Sequence, residues 1–236
     1  MQDAYVGDIG DYGKYGLLRV MEKSGLEIGI NWYKVVPRKA GKQNDGKYIS
    51  YLTAPCEYRH FDPELFDKLS QIVLWEQDRR IERVEQAGLL HAKFYSEPLE
   101  KERREWHIKA LETLRDVDVV FLDPDNGLET RTMEMRGTAT EKHACRREIK
   151  DYYCAGKSVV LYQHLPQMTK KEVCIEELVY FGKHVLGADE LHILEFPRYT
   201  TRFYACFLHY DHAKIMRAGI ESMDRNWKGI CRRWLL

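Results

Sequence analysis

The chain has 236 residues, 44% of them hydrophobic and 31% charged, a balance that excludes a disordered or membrane-embedded chain and suits one packed domain. Lysine plus arginine and aspartate plus glutamate both number 37, so the formal charge is zero and no global field announces a polyanionic partner. Any nucleic-acid surface has to be local.

The opening, AYVGDIGDYGKYGLLRVMEKSG, carries Gly7, Gly10, Gly13 and Gly16 at every third position, with Asp8, Asp11 and Lys14 among them. A glycine-rich loop of this kind lets backbone approach a ligand closely; a flexible lead-in with solvated charges is the plainer alternative. From about Lys14 the pattern turns helical, with Tyr15, Leu18 and Met21 on one face and Gly25 suited to the carboxyl-terminal cap. A strand is predicted at 27–36, EIGINWYKVV, and a polar loop at 37–46, PRKAGKQNDG. KYISYL at 47–52 reads as a short strand after the Asn44-Asp45-Gly46 turn. A hairpin therefore competes here with a β-α-β crossover, and about 37–90 is open to being an insert in a single 1–236 domain.

Asp62-Pro63 has the form of an N-cap followed by proline at the first helical position, opening FDPELFDKLSQIVLW. A charged helix, EQDRRIERVEQAGLL, and a strand, AKFYSE, come next. Arg79, Arg80 and Arg83 are interleaved with Glu82 and Glu85, which favours a solvated face over phosphate contacts. A helix from Leu99 to Arg115 leads into VDVVFLDPDNGLE at 117–129. Its apolar run suits a strand buried on both faces of a parallel sheet. The run stops at Asp123-Pro124-Asp125-Asn126-Gly127, where proline removes a ladder donor and Asn-Gly tolerates positive φ. Ligands of open α/β sheets sit beyond the carboxyl ends of strands, which makes this bend a place for chemistry; an Asx-turn bonded to its own backbone is the alternative.

Residues 130–140 read as polar and mobile, and Thr138 with Glu141 has capping-box spacing for a helix through Tyr153. SVVLYQHLP is another apolar strand, and Thr169 with Glu172 caps a helix to about Leu186. ELHILEF and RFYACFLH are separated by only 197–201, too short for a parallel crossover, so they form an antiparallel hairpin. A final helix begins near Asp211, ahead of a basic tail at 225–233 with Trp227 and Trp234. Arg198 and Arg202 at the hairpin suit phosphate or an acidic partner, with surface ion pairs as the commoner outcome. Six cysteines without a CxxC pair, and no basic-then-apolar leader before Tyr5, read as reduced thiols in a cytoplasmic protein. No apolar run approaches a membrane span, and no pattern specifies an oligomeric state.

This order predicts an α/β fold, Rossmann-like, with a mostly parallel central sheet, helices on both faces and a terminal antiparallel hairpin. It resembles class I S-adenosylmethionine-dependent methyltransferases, whose final strand is antiparallel. Within them it looks most like the DNA adenine amino-methyltransferases, because Gly13-Lys14-Tyr15-Gly16-Leu17-Leu18 is similar to their GKYxLL segment and Asp123-Pro124-Asp125-Asn126 to their DPPY signature. The chain also resembles, over nearly its whole length, a family of bacterial proteins sharing GDxGDxGKYGLLR and FLDPDNGLE, which carries no established activity.

The resemblance implies S-adenosylmethionine as cofactor, bound by Asp8, Asp11, Lys14 and Tyr15, with Lys14 on the methionine carboxylate. It implies Asp123, with Asp125, Asn126 and His164, against a substrate amino group, and a nucleic-acid base would have to leave its stack to reach them. Tyr162 and Gln163 stand at the same strand end. The sequence departs from the family in having no glycine from Asn31 to Ala40, where a cofactor turn is expected, and in reading DPDN for DPPY. Two other readings compete. Asp8, Asp11, Glu97, Asp123, Asp125 and His164 could hold Mg²⁺ or Mn²⁺ in a nuclease or phosphoesterase, with Lys14 balancing developing charge. The missing glycine turn instead favours a non-catalytic binding or assembly module.

Overall fold

The computed structural model describes residues 1–35, 46–99 and 102–236. The Asn44-Asp45 turn and the loop at 37–45 lie outside these residues. The strands, in chain order, are β1 (Ile28–Asn31), β2 (Ala92–Tyr95), β3 (Val119–Leu122), β4 (Gly127–Leu128), β5 (His143–Ala144), β6 (Ser158–His164), β7 (Glu190–Phe196), β8 (Arg202–Leu208) and β9 (Arg232–Trp234). The helices are α1 (Ile9–Glu22), α2 (Pro55–Tyr58), α3 (Pro63–Ser70), α4 (Ile81–Gln86), α5 (Arg103–Thr113), α6 (Arg131–Arg136), α7 (Arg146–Cys154), α8 (Lys171–Tyr180) and α9 (Tyr210–Asn226).

Seven strands form one mixed sheet in the order β2-β1-β3-β6-β8-β7-β9. The first four neighbours are parallel, with Ile28 opposite both Ala92 and Val119, and Val119 opposite Ser158. β8 runs antiparallel to both β6 and β7, so β7 points the same way as the parallel set. Side chains alternate between two apolar layers, as a strand period of two requires. Val119 and Phe121 join Leu17, Leu65 and Met216 of α1, α3 and α9, whereas Val120 and Leu122 join Trp106, Ile149 and Ile175 of α5, α7 and α8. Helices thus cover both faces, which is why β3 reads as a continuous apolar run. Among the described residues no helix is long and apolar enough to cross a membrane.

Several expectations are corrected. The hairpin does not end the sheet: β9 adds antiparallel to β7, and the fully buried carboxylate of Glu195 ties it there by accepting from Arg232 Nε (2.6 Å), Trp234 Nε1 (2.8 Å) and Lys171 Nζ (2.6 Å). KYISYL forms no strand; Ser50–Thr53 is a 3₁₀ turn. The charged helix shrinks to Ile81–Gln86, and 130–140 contains a helix, α6, begun by the Thr130 hydroxyl accepting from Met133 N. Neither predicted capping box forms. α7 starts after Cys145, whose N–H donates to Glu148 (3.0 Å), and α8 starts after Lys170. Asp62 and Pro63 open α3 as expected. Residues 46–90 build no core of their own but share the layer of α1 through Tyr51, Phe66, Ile72 and Ile81.

The largest correction concerns the opening glycines. α1 begins at Ile9, so Gly10, Gly13 and Gly16 are helical, and their three-residue spacing puts them along one helix face. A Cβ at Gly13 would lie 2.5 Å from the Phe196 ring, and one at Gly16 would lie 2.3 Å from Trp227. The glycines let α1 press against the sheet and the end of α9; they do not form a ligand-wrapping loop. Trp227 is accordingly buried.

Candidate functional site

The amino-terminal turn of α1 and the bend after β3 meet at one cleft of about 340 Å³ beyond the carboxyl ends of the parallel strands. Asp8 caps α1, its carboxylate accepting from Gly10 N (2.6 Å) and Asp11 N (3.3 Å). One turn on, Asp11 Oδ2 accepts from Gly7 N and the Tyr15 hydroxyl, both at 3.0 Å, while its Oδ1 accepts from Lys14 Nζ at 2.8 Å. Lys14 Nζ also donates to Asp123 Oδ2 at 2.7 Å. This Asp11–Lys14–Asp123 bridge joins the two motifs, and its three side chains are at most 5% exposed.

The bend itself is pinned from β6. Gln163 accepts from Leu128 N (2.8 Å) and donates to the carbonyls of Asn126 (3.0 Å) and His164 (2.8 Å). Gly127 has φ +107°, and a Cβ there would lie 2.3 Å from Gln163 Oε1, so both conformation and space require glycine. Asp125 accepts from Gln2 Nε2 (2.8 Å) and lies 3.4 Å from the Met1 amine, which donates to the carbonyls of Trp32, Tyr33 and Asp123.

Of the predicted site residues, Asp8, Asp11, Lys14, Asp123, Asp125, Asn126 and His164 all line the cleft. Tyr15 does not; it is fully buried beneath, where it positions Asp11. Gln163 supports the bend from behind, and Glu97 is exposed and outside the lining. Tyr162 lines the cleft, as do Tyr5, Lys47, Tyr48, Lys142 and Thr200, which the sequence did not single out. Arg202, placed on a surface hairpin by the sequence reading, is a cleft wall residue only 5% exposed. Its guanidinium lies over Gly10, where a Cβ would be 2.7 Å from Cζ.

Electrostatics follow from this burial. Desolvation pulls the Lys14 ammonium down, but Asp11 and Asp123 more than reverse it and hold the ammonium above its ordinary value. Burial pushes Asp123 up despite Lys14, and burial and then Asp11 push Asp8 up against Arg202. Lys14 is therefore a charged clamp with no lone pair to serve as base. The Asp123 carboxylate has one oxygen on Lys14 and accepts no other hydrogen bond among the described residues, leaving Oδ1 as an acceptor for an N–H group. No group of three His, Cys, Asp or Glu side chains among the described residues could hold a metal ion, and at the cleft Lys14 lies between Asp11 and Asp123.

His164 is held below its ordinary value by burial and then by Arg202. The unfolded chain takes up that proton near pH 6.5 while the folded chain resists it, so the contribution to stability is present above about pH 6.5 and is lost as pH falls through the lowered value. His107, His143 and His212 are lowered in the same sense, burial leading in each. The thermal midpoint is expected to fall on moving from about pH 7.5 to about pH 5.5, and to fall less in His164→Asn. An equal fall in both proteins would contradict the assignment to His164.

Compared with models of known protein families and with curated protein sequences, the chain matches none.

Proposed function

We propose that the chain is a Rossmann-like, S-adenosylmethionine-dependent methyltransferase acting on an amino group, with nucleic acid as the acceptor class. The observation that carries this reading is the Asp11–Lys14–Asp123 bridge, which brings the GKYxLL-like segment and the DPPY-like bend together at the carboxyl ends of β1 and β3. The sheet adds support, since its antiparallel strand follows a parallel set as in those enzymes. The residues fit the cofactor in kind: Asp125 suits an ammonium, Tyr48 and Tyr162 offer ring faces, and Lys14 suits a carboxylate. When bound, the cofactor would supply a methyl group on a sulfonium.

The chain's own work is orientation. The Asp123 carboxylate is the acceptor that holds an amino group in line for attack, and Gln163 keeps the bend from relaxing. Lys14 restrains Asp123 until another carboxylate shares the ammonium. A binding module without catalysis is the second reading, favoured by that bridge, in which the one ammonium is already shared by two carboxylates.

Calorimetric titration with S-adenosylmethionine tests this directly. A saturable heat is expected, weakened about tenfold in Asp125→Asn, whose thermal midpoint serves as the folding control. A flat titration, with no methyl incorporated into DNA or RNA, would leave the binding module standing and end the transferase proposal.

A further inference from the structure

Among the described residues, four cationic side chains are buried: Lys14, Arg19, Arg146 and Arg202. Three are answered by carboxylates, Lys14 by Asp11 and Asp123, Arg19 by Asp62 and Glu64, and Arg146 by Glu134 and Glu177. Among the described residues Arg202 makes no ion pair. One of its terminal nitrogens donates to the neutral Thr200 Oγ1 at 2.7 Å, and its Nε is buried with no hydrogen-bond partner. The nearby Asp8 carboxylate is engaged by Gly10 N and Asp11 N at the start of α1. Asp8 and Tyr162 face the guanidinium, but no carboxylate is bonded to it, a costly arrangement for a buried charge that also lies against the positive end of a 14-residue helix.

That cost has a chemical reading because Arg202 is a wall of the cleft. Lys47 and Lys142 stand on the same cleft, both exposed and neither in an ion pair among the described residues. Of the cleft's acids, Asp11 and Asp123 share Lys14, Asp125 faces Gln2 and the Met1 amine, and Asp8, bonded by backbone N–H groups, lies beside Arg202. Among the described residues, Arg202, Lys47 and Lys142 thus place positive charge outside any ion pair at three points around one space, with Asp8 as the acid beside Arg202. Beside it are flat rings, Tyr162 and Tyr48, the latter stacked on Tyr199 at 4.4 Å and 15° with Lys47 Nζ 5.4 Å from its centroid.

We propose that this cleft binds the phosphate of a nucleotide unit, with Arg202 as its central ligand, Lys47 and Lys142 as outer ones, and Tyr48 and Tyr162 facing the base. A planar guanidinium fork matches phosphate oxygens, and a ring face accepts any base. The phosphate belongs to a free mononucleotide or to a single-stranded nucleic acid. As the acceptor in methyl transfer the nucleotide rests on the proposal above; the anion subsite itself does not, so it is measured without the cofactor.

The test titrates the full chain with adenosine 5′-monophosphate, adenosine and inorganic phosphate. The monophosphate is expected to bind at least about tenfold more tightly than adenosine, and inorganic phosphate to displace it. In Arg202→Met that preference is expected to vanish while the thermal midpoint holds or rises, since an unpaired buried charge has been removed. The exposed pair Lys47→Ala with Lys142→Ala is expected to weaken the monophosphate about three- to tenfold and to flatten its salt dependence, a readout independent of any folding defect at Arg202. Competition by a short single-stranded oligonucleotide would identify a strand as the source, and failure to compete a free nucleotide. Equal binding of adenosine and its monophosphate, binding of neither, or a preference surviving in Arg202→Met would overturn the proposal. So would loss of S-adenosylmethionine binding in Arg202→Met, which would assign the guanidinium to the cofactor's carboxylate.

Discussion

Lys14→Ala is expected to lower folding stability by about 3–5 kcal/mol, the usual cost of deleting one partner of a buried charge pair. The ammonium sits 2.8 Å from Asp11 and 2.7 Å from Asp123, and none of the three side chains is more than 5% exposed, so water cannot replace it. Its removal leaves two carboxylates facing each other in a desolvated space. In a chain of this size the thermal midpoint should drop by roughly 6–20 °C. The triple variant Lys14→Met, Asp11→Asn, Asp123→Asn should recover much of that loss, because burial without charge costs less than burial of unpaired charge. Urea denaturation of both proteins checks this. A loss below about 1 kcal/mol in Lys14→Ala would mean that the bridge is solvated and that the two motifs are not locked together.

Gly16→Ala and Gly13→Ala should each destabilise by about 1–3 kcal/mol, the range for overfilling a packed contact. The sign is the informative part. In an unconstrained helix interior the same change gains about 1 kcal/mol, and in a flexible lead-in it would do almost nothing. Here the new methyl would overlap the Trp227 ring or the Phe196 ring, at 2.3 and 2.5 Å. Both aromatics are at most 3% exposed and have little room to yield. A rise in thermal midpoint for either variant would show that α1 does not lie against those rings in solution.

These two expectations mark where the sequence could and could not be read. β3 was legible because burial on both faces writes itself as an unbroken apolar run, and the bend after it because proline and Asn-Gly leave few alternatives. The resemblance placed Lys14 and Asp123 at one site, each against a ligand, but their direct contact was not read from the sequence. Gly10, Gly13 and Gly16 were misread because glycine signals both loops and close packing. Their spacing of three, shared with a helix face, was the available clue. Arg202 was read at the hairpin as suited to phosphate or an acidic partner, but its place in the cleft wall was not legible. Its burial depends on Gly10 far away in sequence leaving space for the guanidinium, and no local pattern records such a contact. Cys145, in turn, was overlooked as a helix start because its cap uses the backbone N–H and Glu148, not a hydroxyl.

The contact between Gly16 and Trp227 also has a temporal side. Translation at about 5–20 residues per second puts roughly ten to forty seconds between the emergence of one and of the other from the ribosome. For that interval α1 carries a bare glycine face, and β1 must wait in addition for both of its neighbours, β2 and β3. Such long-range pairing implies slow maturation, with apolar surface left uncovered until the last helix arrives.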